Sequence, residues 1–163
     1  MGIAPPAFER KIRAPGTLAA GIAGASRPLV FTNGVFDILH RGHATYLAQS
    51  RALGAALVVA LNSDASAGRL GKGPDRPVNP LADRVAVIAA LEAADFVTWF
   101  EEDTPLALIE ILRPDVLVKG GDWATDKIVG AQGVLARGGR VVSIPFAHER
   151  STTALVQRIR SSK

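Results

Sequence analysis

The chain has 163 residues, of which 48% are hydrophobic and 6% aromatic, and it carries a formal net charge of +4. That length and apolar content suit one domain with one core, and the absence of cysteine excludes disulfides and thiolate metal sites. With no apolar run of about 18 residues and no leader-like hydrophobic stretch, we expect a cytoplasmic protein without a membrane partner.

The basic balance leaves two classes of partner open, nucleic acid and small phosphorylated molecules. Basic residues are spread along the chain, and the C-terminal group of Arg158, Arg160 and Lys163 suits a solvated helix end. Aromatic residues interleaved with basic ones, which could stack on bases, are missing. We therefore expect phosphorylated small molecules and no nucleic acid.

Residues 1–27 form a predicted N-terminal extension, irregular or weakly helical because prolines and glycines punctuate it, and 28–163 form the predicted domain. In that domain, short apolar runs alternate with helical segments. The predicted strands are 29–32, 55–61, 96–100, 115–119 and 140–144, and the predicted helices are 42–53, 80–91, 105–112, 126–136 and 152–160. This alternation predicts an α/β fold, a Rossmann-like five-stranded parallel sheet with helices on both faces.

Two of the helices open on a cap-plus-proline pair, Asn79-Pro80 and Thr104-Pro105. A long loop, 62–79, is predicted before the first of them, and loops of this length are usually functional or mobile. Ligands of such folds bind beyond the carboxyl ends of the strands, at the point where strand order switches. The segments expected to converge there are 32–43, 62–76, 119–123 and 148–153.

A phosphate site is predicted at His40-Arg41-Gly42-His43, where a helix begins. Gly42 lets a ligand approach the backbone, and the free N–H groups of the first helical turn favour an anion. The two histidines lie three positions apart, so both can face that anion. By contrast, Gly71-Lys72-Gly73 fits neither the Walker loop nor the dinucleotide pattern. Two ordinary surface histidines are the alternative interpretation.

The run Thr32-Asn-Gly-Val-Phe-Asp37, followed by His40-x-Gly-His43, resembles the HxGH signature of the cytidylyltransferase-like nucleotidyltransferase superfamily. Later segments resemble its heptose 1-phosphate adenylyltransferase branch, in a stand-alone form without a fused kinase domain. These segments are Asn62-Ser-Asp64, Lys72-Gly-Pro74 with Arg76-Pro77, Arg84, Val118 to Trp123, and Arg150-Ser-Thr-Thr153. The likeness covers about residues 28–160, and one departure is His148-Glu149, where relatives often have Glu-Gly.

The resemblance implies transfer of AMP from ATP to D-glycero-β-D-manno-heptose 1-phosphate, giving ADP-heptose and pyrophosphate for lipopolysaccharide core biosynthesis. His40 and His43 are implied to be catalytic residues on the triphosphate, with Lys72 as a mobile catalytic cation. The acceptor phosphate is already an anion, so the reaction needs alignment and charge stabilisation rather than a protein base. Mg²⁺ is expected on substrate oxygens and water, without assigned protein ligands.

The remaining predicted site residues fall into two groups. The group expected to bind ATP comprises Thr32, Asn33, Gly34, Phe36, Gly42, Asn62, Arg84, Lys119, Gly120, Asp122, Ser151 and Thr152. The group expected near the acceptor comprises Asp37, Asp64, Arg76 and Trp123, with Asp37 also a candidate for structural support or indirect contact with Mg²⁺. A homodimer is expected as the commonest closed assembly.

Several alternatives stay open at this point. A cytidylyltransferase using CTP and glycerol 3-phosphate, or another small phosphorylated alcohol, is the nearest alternative function, and a non-catalytic nucleotide-binding module is a remote one. Lys72 could be a solvated loop lysine, Arg84 a surface charge, and Ser151 no more than a helix cap. Asp122 and Trp123 could be ordinary turn residues.

Overall fold

A computed structural model of the chain describes residues 4–71, 73, 75–147 and 152–161. Its strands are β1 (Leu29–Gly34), β2 (Ala56–Asn62), β3 (Phe96–Phe100), β4 (Val116–Gly120) and β5 (Arg140–Ile144). They form one parallel sheet in the order β3-β2-β1-β4-β5. The chain runs outward from β1 to β3 and then crosses to the other side of β1, so strand order switches between β1 and β4.

Seven α-helices lie among the described residues. They are α1 (Pro15–Gly21), α2 (Arg41–Arg51), α3 (Asp64–Arg69), α4 (Leu81–Ala90), α5 (Leu106–Leu112), α6 (Ala131–Ala136) and α7 (Thr152–Ser161). Short 3-10 helices cover Ala7–Lys11 and Thr125–Lys127. No helix in these described ranges has the length and apolarity needed to cross a membrane.

The sheet is covered on both faces, which explains why the strands are continuous apolar runs rather than alternating ones. Alternate residues of one strand point to opposite faces. Phe31 and Val58 therefore pack in the cluster that α1, α5 and α6 cover, and Val30 and Leu57 pack in the cluster under α2 and α4. All seven residues of β2 are buried. The predicted Rossmann-like α/β fold is confirmed.

Three predicted boundaries need correction. The loop predicted over 62–79 contains α3, which Ser63 caps by accepting the Ser66 N–H at 3.1 Å. Both cap-plus-proline helices begin one residue later than predicted, with the proline itself at the cap position. The helix predicted over 126–136 is split, because Gly130 adopts φ 86° and starts α6 afresh.

The N-terminal segment is part of this core. Leu18 of α1 is fully buried, and Ile12 forms an isolated parallel bridge with Val97 of β3. The Lys11 ammonium also donates to the Leu91 carbonyl at 2.9 Å. The weak helicity predicted for this segment is confirmed as α1, which supplies apolar cover for one face of the sheet.

Candidate active site

The phosphate-binding turn lies between β1 and α2, beside the switch point of strand order. His40 is the cap residue of α2, in an extended conformation with φ −145° and ψ 170°. One helical turn later, the His43 ring stacks on the His40 ring with centroids 3.9 Å apart and planes 21° apart. Phe36 contacts His43 edge-on at 5.5 Å. The two imidazoles therefore form one rigid unit at the first turn of the helix.

A cavity of about 620 Å³, here called the histidine pocket, opens over this unit. It is lined from β1, α2, the loop before α4, the ends of β4 and β5, and the start of α7, as convergence at the switch point requires. The predicted residues on its wall are Asn33, Gly34, Phe36, Asp37, His40, His43, Arg76, Lys119, Gly120, Trp123 and Thr152. Lys119 donates to the Asn33 side-chain oxygen at 3.3 Å.

Two of these wall residues, Asp37 and Arg76, also stabilise the turn. The carboxylate of Asp37 is almost completely buried and accepts from Arg76 Nε at 2.7 Å and from the backbone N–H groups of Val78 and Asn79 at 2.9 Å each. Asn79 returns a hydrogen bond from its amide to the Asp37 carbonyl at 2.8 Å. Asp37 therefore holds the loop before α4 against the turn, which fits structural support.

Arg84 does not line the histidine pocket, and its hydrogen-bond partners in the structure are protein groups, so its predicted contact with the nucleotide stays a prediction. Its side chain is 0% exposed, so it is not a surface charge. The guanidinium donates to the carbonyls of Val35, Asn62 and Asn79 at 2.7, 2.9 and 3.0 Å, and to Asp64 at 2.6 Å. It thereby ties the ends of β1 and β2 to the start of α4. The Asp64 carboxylate therefore forms an ion pair with the Arg84 guanidinium.

Four other predicted residues stay off the wall of the histidine pocket. Thr32 is fully buried and its hydroxyl forms hydrogen bonds with the Tyr46 hydroxyl and the Val118 carbonyl, so it helps to orient Tyr46. Gly42 is buried within α2, and Asp122 is exposed beyond β4. Asn62 is buried and lines a neighbouring hollow. Lys72 and Ser151 lie outside the described residues.

Sequence reasoning missed four residues of the wall, namely Val35, Tyr46, Gly71 and Phe146. Tyr46 lies three positions after His43 on α2, and this helical spacing was the available signal. Phe146 lies two residues beyond β5 and contacts Tyr46 edge-on at 6.0 Å. Gly120 allows this approach, because a Cβ there would lie 2.9 Å from the Phe146 ring.

The Tyr46 phenol is neutral at physiological pH. Burial raises its pKa from 10.0 to about 12, and hydrogen bonds with Thr32, Ser50 and the Gly120 backbone oppose the shift. His40, His43, Arg76 and Lys119 bring hydrogen-bond donors to this wall, which suits an anionic ligand.

Within the described ranges, no cluster of three His, Cys, Asp or Glu side chains could hold a metal ion.

Tyr46→Phe should make the free energy of unfolding less dependent on pH in the alkaline range. The phenol stays protonated in the folded chain between pH 10 and 12 but ionises in the unfolded chain, so stability is lost as pH rises through this window. A shift of this size corresponds to about 2–3 kcal/mol at its upper end. In urea unfolding, the difference in free energy of unfolding between wild type and Tyr46→Phe should stay constant from pH 8 to about pH 9 and shrink as the pH rises past 10.

The same prediction has a direct spectroscopic control. Tyr46 is the only tyrosine in the sequence, so tyrosinate absorbance reports this residue alone. A titration midpoint at the ordinary value of 10.0, in protein that circular dichroism shows to be folded, would contradict the buried assignment.

The sequence is similar to proteins that are named for heptose 1-phosphate adenylyl transfer or as HldE. The chain is 58% identical to a D-beta-D-heptose 1-phosphate adenylyltransferase of Bordetella bronchiseptica over 155 residues, which cover 94% of this chain and 96% of the relative. It is 57% identical to the bifunctional protein HldE of Hahella chejuensis over 135 residues. That match covers 83% of this chain but 28% of the length of HldE.

Two solved structures share the architecture. A lipopolysaccharide core biosynthesis protein from Thermoplasma volcanium superposes with a TM-score of 0.61 at 30% identity, covering 75% of this chain and 98% of that one. A pantoate-beta-alanine ligase from Francisella tularensis, with a TM-score of 0.56, 12% identity and coverage of 86% and 68%, shares the fold alone. A sequence model described as cytidylyltransferase-like matches residues 31–160. The stacked histidines on the β1–α2 turn lie within that match, and the chain belongs to the cytidylyltransferase-like family.

Proposed function

We propose that the protein is an adenylyltransferase that transfers AMP from ATP to D-glycero-β-D-manno-heptose 1-phosphate, giving ADP-heptose for lipopolysaccharide core biosynthesis. The observation that carries this is the 58% identity, over 94% of the chain, to a protein named for adenylyl transfer to heptose 1-phosphate. The stacked pair of His40 and His43 at the start of α2 supports it, because adenylyl transfer needs donors on a triphosphate.

The reaction is an in-line displacement at the α-phosphorus of ATP. An oxygen of the sugar 1-phosphate forms the new P–O bond, and the bond from the α-phosphorus to the bridging oxygen breaks with its electron pair leaving on pyrophosphate. No proton has to be removed from the nucleophile. The enzyme contributes alignment of two anions and stabilisation of the charge that develops on the phosphate oxygens.

Each part of the histidine pocket suits one part of the ATP molecule. The side chains of His40 and His43 would contact the phosphates, and Lys119 adds a cation from the neighbouring strand β4. The half-exposed ring of Phe146, beside Tyr46, offers an apolar surface for the adenine base. On the sequence resemblance alone, Lys72 and Ser151 are proposed to contact phosphate groups. Asp122 is likewise proposed to contact the nucleotide.

The magnesium ion is assigned to the substrate. The Asp37 carboxylate already accepts hydrogen bonds from three donors, and no protein ligand is assigned to the ion. Carried by substrate oxygens and water, Mg²⁺ would neutralise charge on the departing pyrophosphate. We also propose that the protein assembles as a homodimer.

A pyrophosphate-release assay tests the function against its nearest alternative. The protein is given ATP or CTP, each with heptose 1-phosphate or glycerol 3-phosphate. We expect ATP with heptose 1-phosphate to give the highest kcat/KM. Faster release from CTP with glycerol 3-phosphate would overturn the proposal, and tight ATP binding without any release would indicate a non-catalytic module.

A further inference from the structure

A second hollow, of about 250 Å³, adjoins the histidine pocket. The two share a wall at the end of β1 and β4, formed by Asn33, Gly34, Val35, Lys119 and Trp123. Neither motif histidine lines the second hollow. It lies toward β2 and β3, and Asn62 at the end of β2 forms part of it. The histidine pocket and the second hollow are therefore two adjoining chambers, separated at the end of the central strand β1.

In-line displacement gives a reason for two chambers. Pyrophosphate departs toward the histidines at α2, so the nucleophile has to approach the α-phosphorus from the other side. The second hollow lies across the shared wall from the chamber that the histidines line, and Lys119 lies at the boundary between the two chambers. A cation at this boundary can contact phosphate oxygens of either substrate.

The lining of the second hollow suits a polyol rather than a base. Asp103, Thr104 and Lys127 supply a carboxylate, a hydroxyl and an ammonium, which together accept from and donate to sugar hydroxyls. Leu70 and Ile128 supply apolar surface between them, and C–H groups of a pyranose ring can cover such surface. This mixture differs from the histidine and aromatic lining of the first chamber.

Trp123 gives the boundary a flat apolar platform. Its indole N–H donates to the Gly120 carbonyl at 3.0 Å, and its backbone N–H donates to the Ser143 hydroxyl at 3.1 Å. The ring is thus fixed although about half of the residue is exposed. An aromatic face held in this way offers contact area at low entropic cost, and it lines both chambers, as Lys119 does.

We propose that the second hollow binds the sugar of the acceptor, and that Asp103, Thr104 and Lys127 are specificity-determining residues for it. The identity of the sugar 1-phosphate rests on the proposed function above. The Asp103 carboxylate receives sugar hydroxyls while its Oδ1 is held by Arg69 Nε at 2.5 Å. Lys127 and Thr104 donate to sugar oxygens, and the phosphate lies at Lys119.

Steady-state kinetics on Asp103→Asn, Thr104→Val and Lys127→Met test this assignment. Each variant should raise KM for heptose 1-phosphate about 10-fold, because each leaves a sugar group without its partner. KM for ATP should stay within about twofold, since none of the three lines the histidine pocket. All three side chains are exposed, so folding should be unaffected.

Two control variants separate sugar binding from local structure. Arg69→Met removes the same ion pair as Asp103→Asn but keeps the carboxylate, so KM for the acceptor should stay near wild type. Glu110→Gln removes a carboxylate on the exposed side of α5, outside both chambers, and should change nothing. A loss with Arg69→Met equal to that with Asp103→Asn would overturn the role of the Asp103 carboxylate.

Calorimetric titration with heptose 1-phosphate keeps the two proposals apart. If wild type releases pyrophosphate and the three variants keep acceptor KM within twofold, the second hollow is not the sugar site and the proposed function stands. If wild type releases none but binds heptose 1-phosphate, and Asp103→Asn weakens that binding, the sugar site stands and the proposed reaction fails. Absence of both release and binding overturns both.

Discussion

His43→Ala should lower kcat by about 10²- to 10³-fold, the scale found for losing one donor to a transition state, or about 2.7–4 kcal/mol. The His43 ring is held by stacking on His40 at 3.9 Å and by the edge-on contact of Phe36 at 5.5 Å. An oriented donor costs no reorganisation when charge shifts onto the leaving pyrophosphate. The loss should therefore appear in kcat far more than in KM for ATP.

The same geometry predicts that the two histidines act as a unit. His40→Ala should cost a similar factor, and the double variant should cost much less than the product of the two, because each ring positions the other. Gln49→Ala, on the exposed side of the same helix, should keep kcat within twofold. Folded His43→Ala protein with wild-type kcat would remove His43 from the reacting centre.

The turn and the strands could be predicted because their signals are local. A buried strand reads directly as an apolar run, and the glycine and histidines at 40–43 are contiguous in sequence. The sheet order then brings Lys119, at the end of β4, beside the turn that follows β1. Local patterns of this kind are sufficient for the parts of a site that follow one strand end.

Contacts between distant segments were harder to predict. Arg84 lies 49 residues from Val35 and 22 from Asn62, and nothing near it in sequence distinguishes a buried guanidinium from a surface one. Asp103 and Lys127 enter the second hollow from two separate connections, so their proximity depends on the tertiary fold. Helix α3 was not predicted, because its sequence is rich in Ser, Gly and Asp, which also favour loops.

The second large effect concerns stability. Arg84→Met should lower the free energy of unfolding by about 3–5 kcal/mol, the cost of breaking a buried charged network. The methionine fills similar volume but leaves the buried carbonyls of Val35 and Asn62 without their donor, and each such loss costs about 1–3 kcal/mol. Asp64 adds less, because its side chain is 51% exposed and regains water.

Urea unfolding of three variants would test this assignment. Arg84→Lys should recover less than half of the loss, because an ammonium cannot reproduce the forked set of donors to Val35, Asn62, Asn79 and Asp64. Arg137→Met, at an exposed arginine beyond α6, should stay within about 0.5 kcal/mol of wild type. An Arg84→Met protein as stable as Arg137→Met would mean that the ends of β1 and β2 hold without the buried guanidinium. The positions of His40 and His43 would then depend on the Asp37–Arg76 pair and not on Arg84.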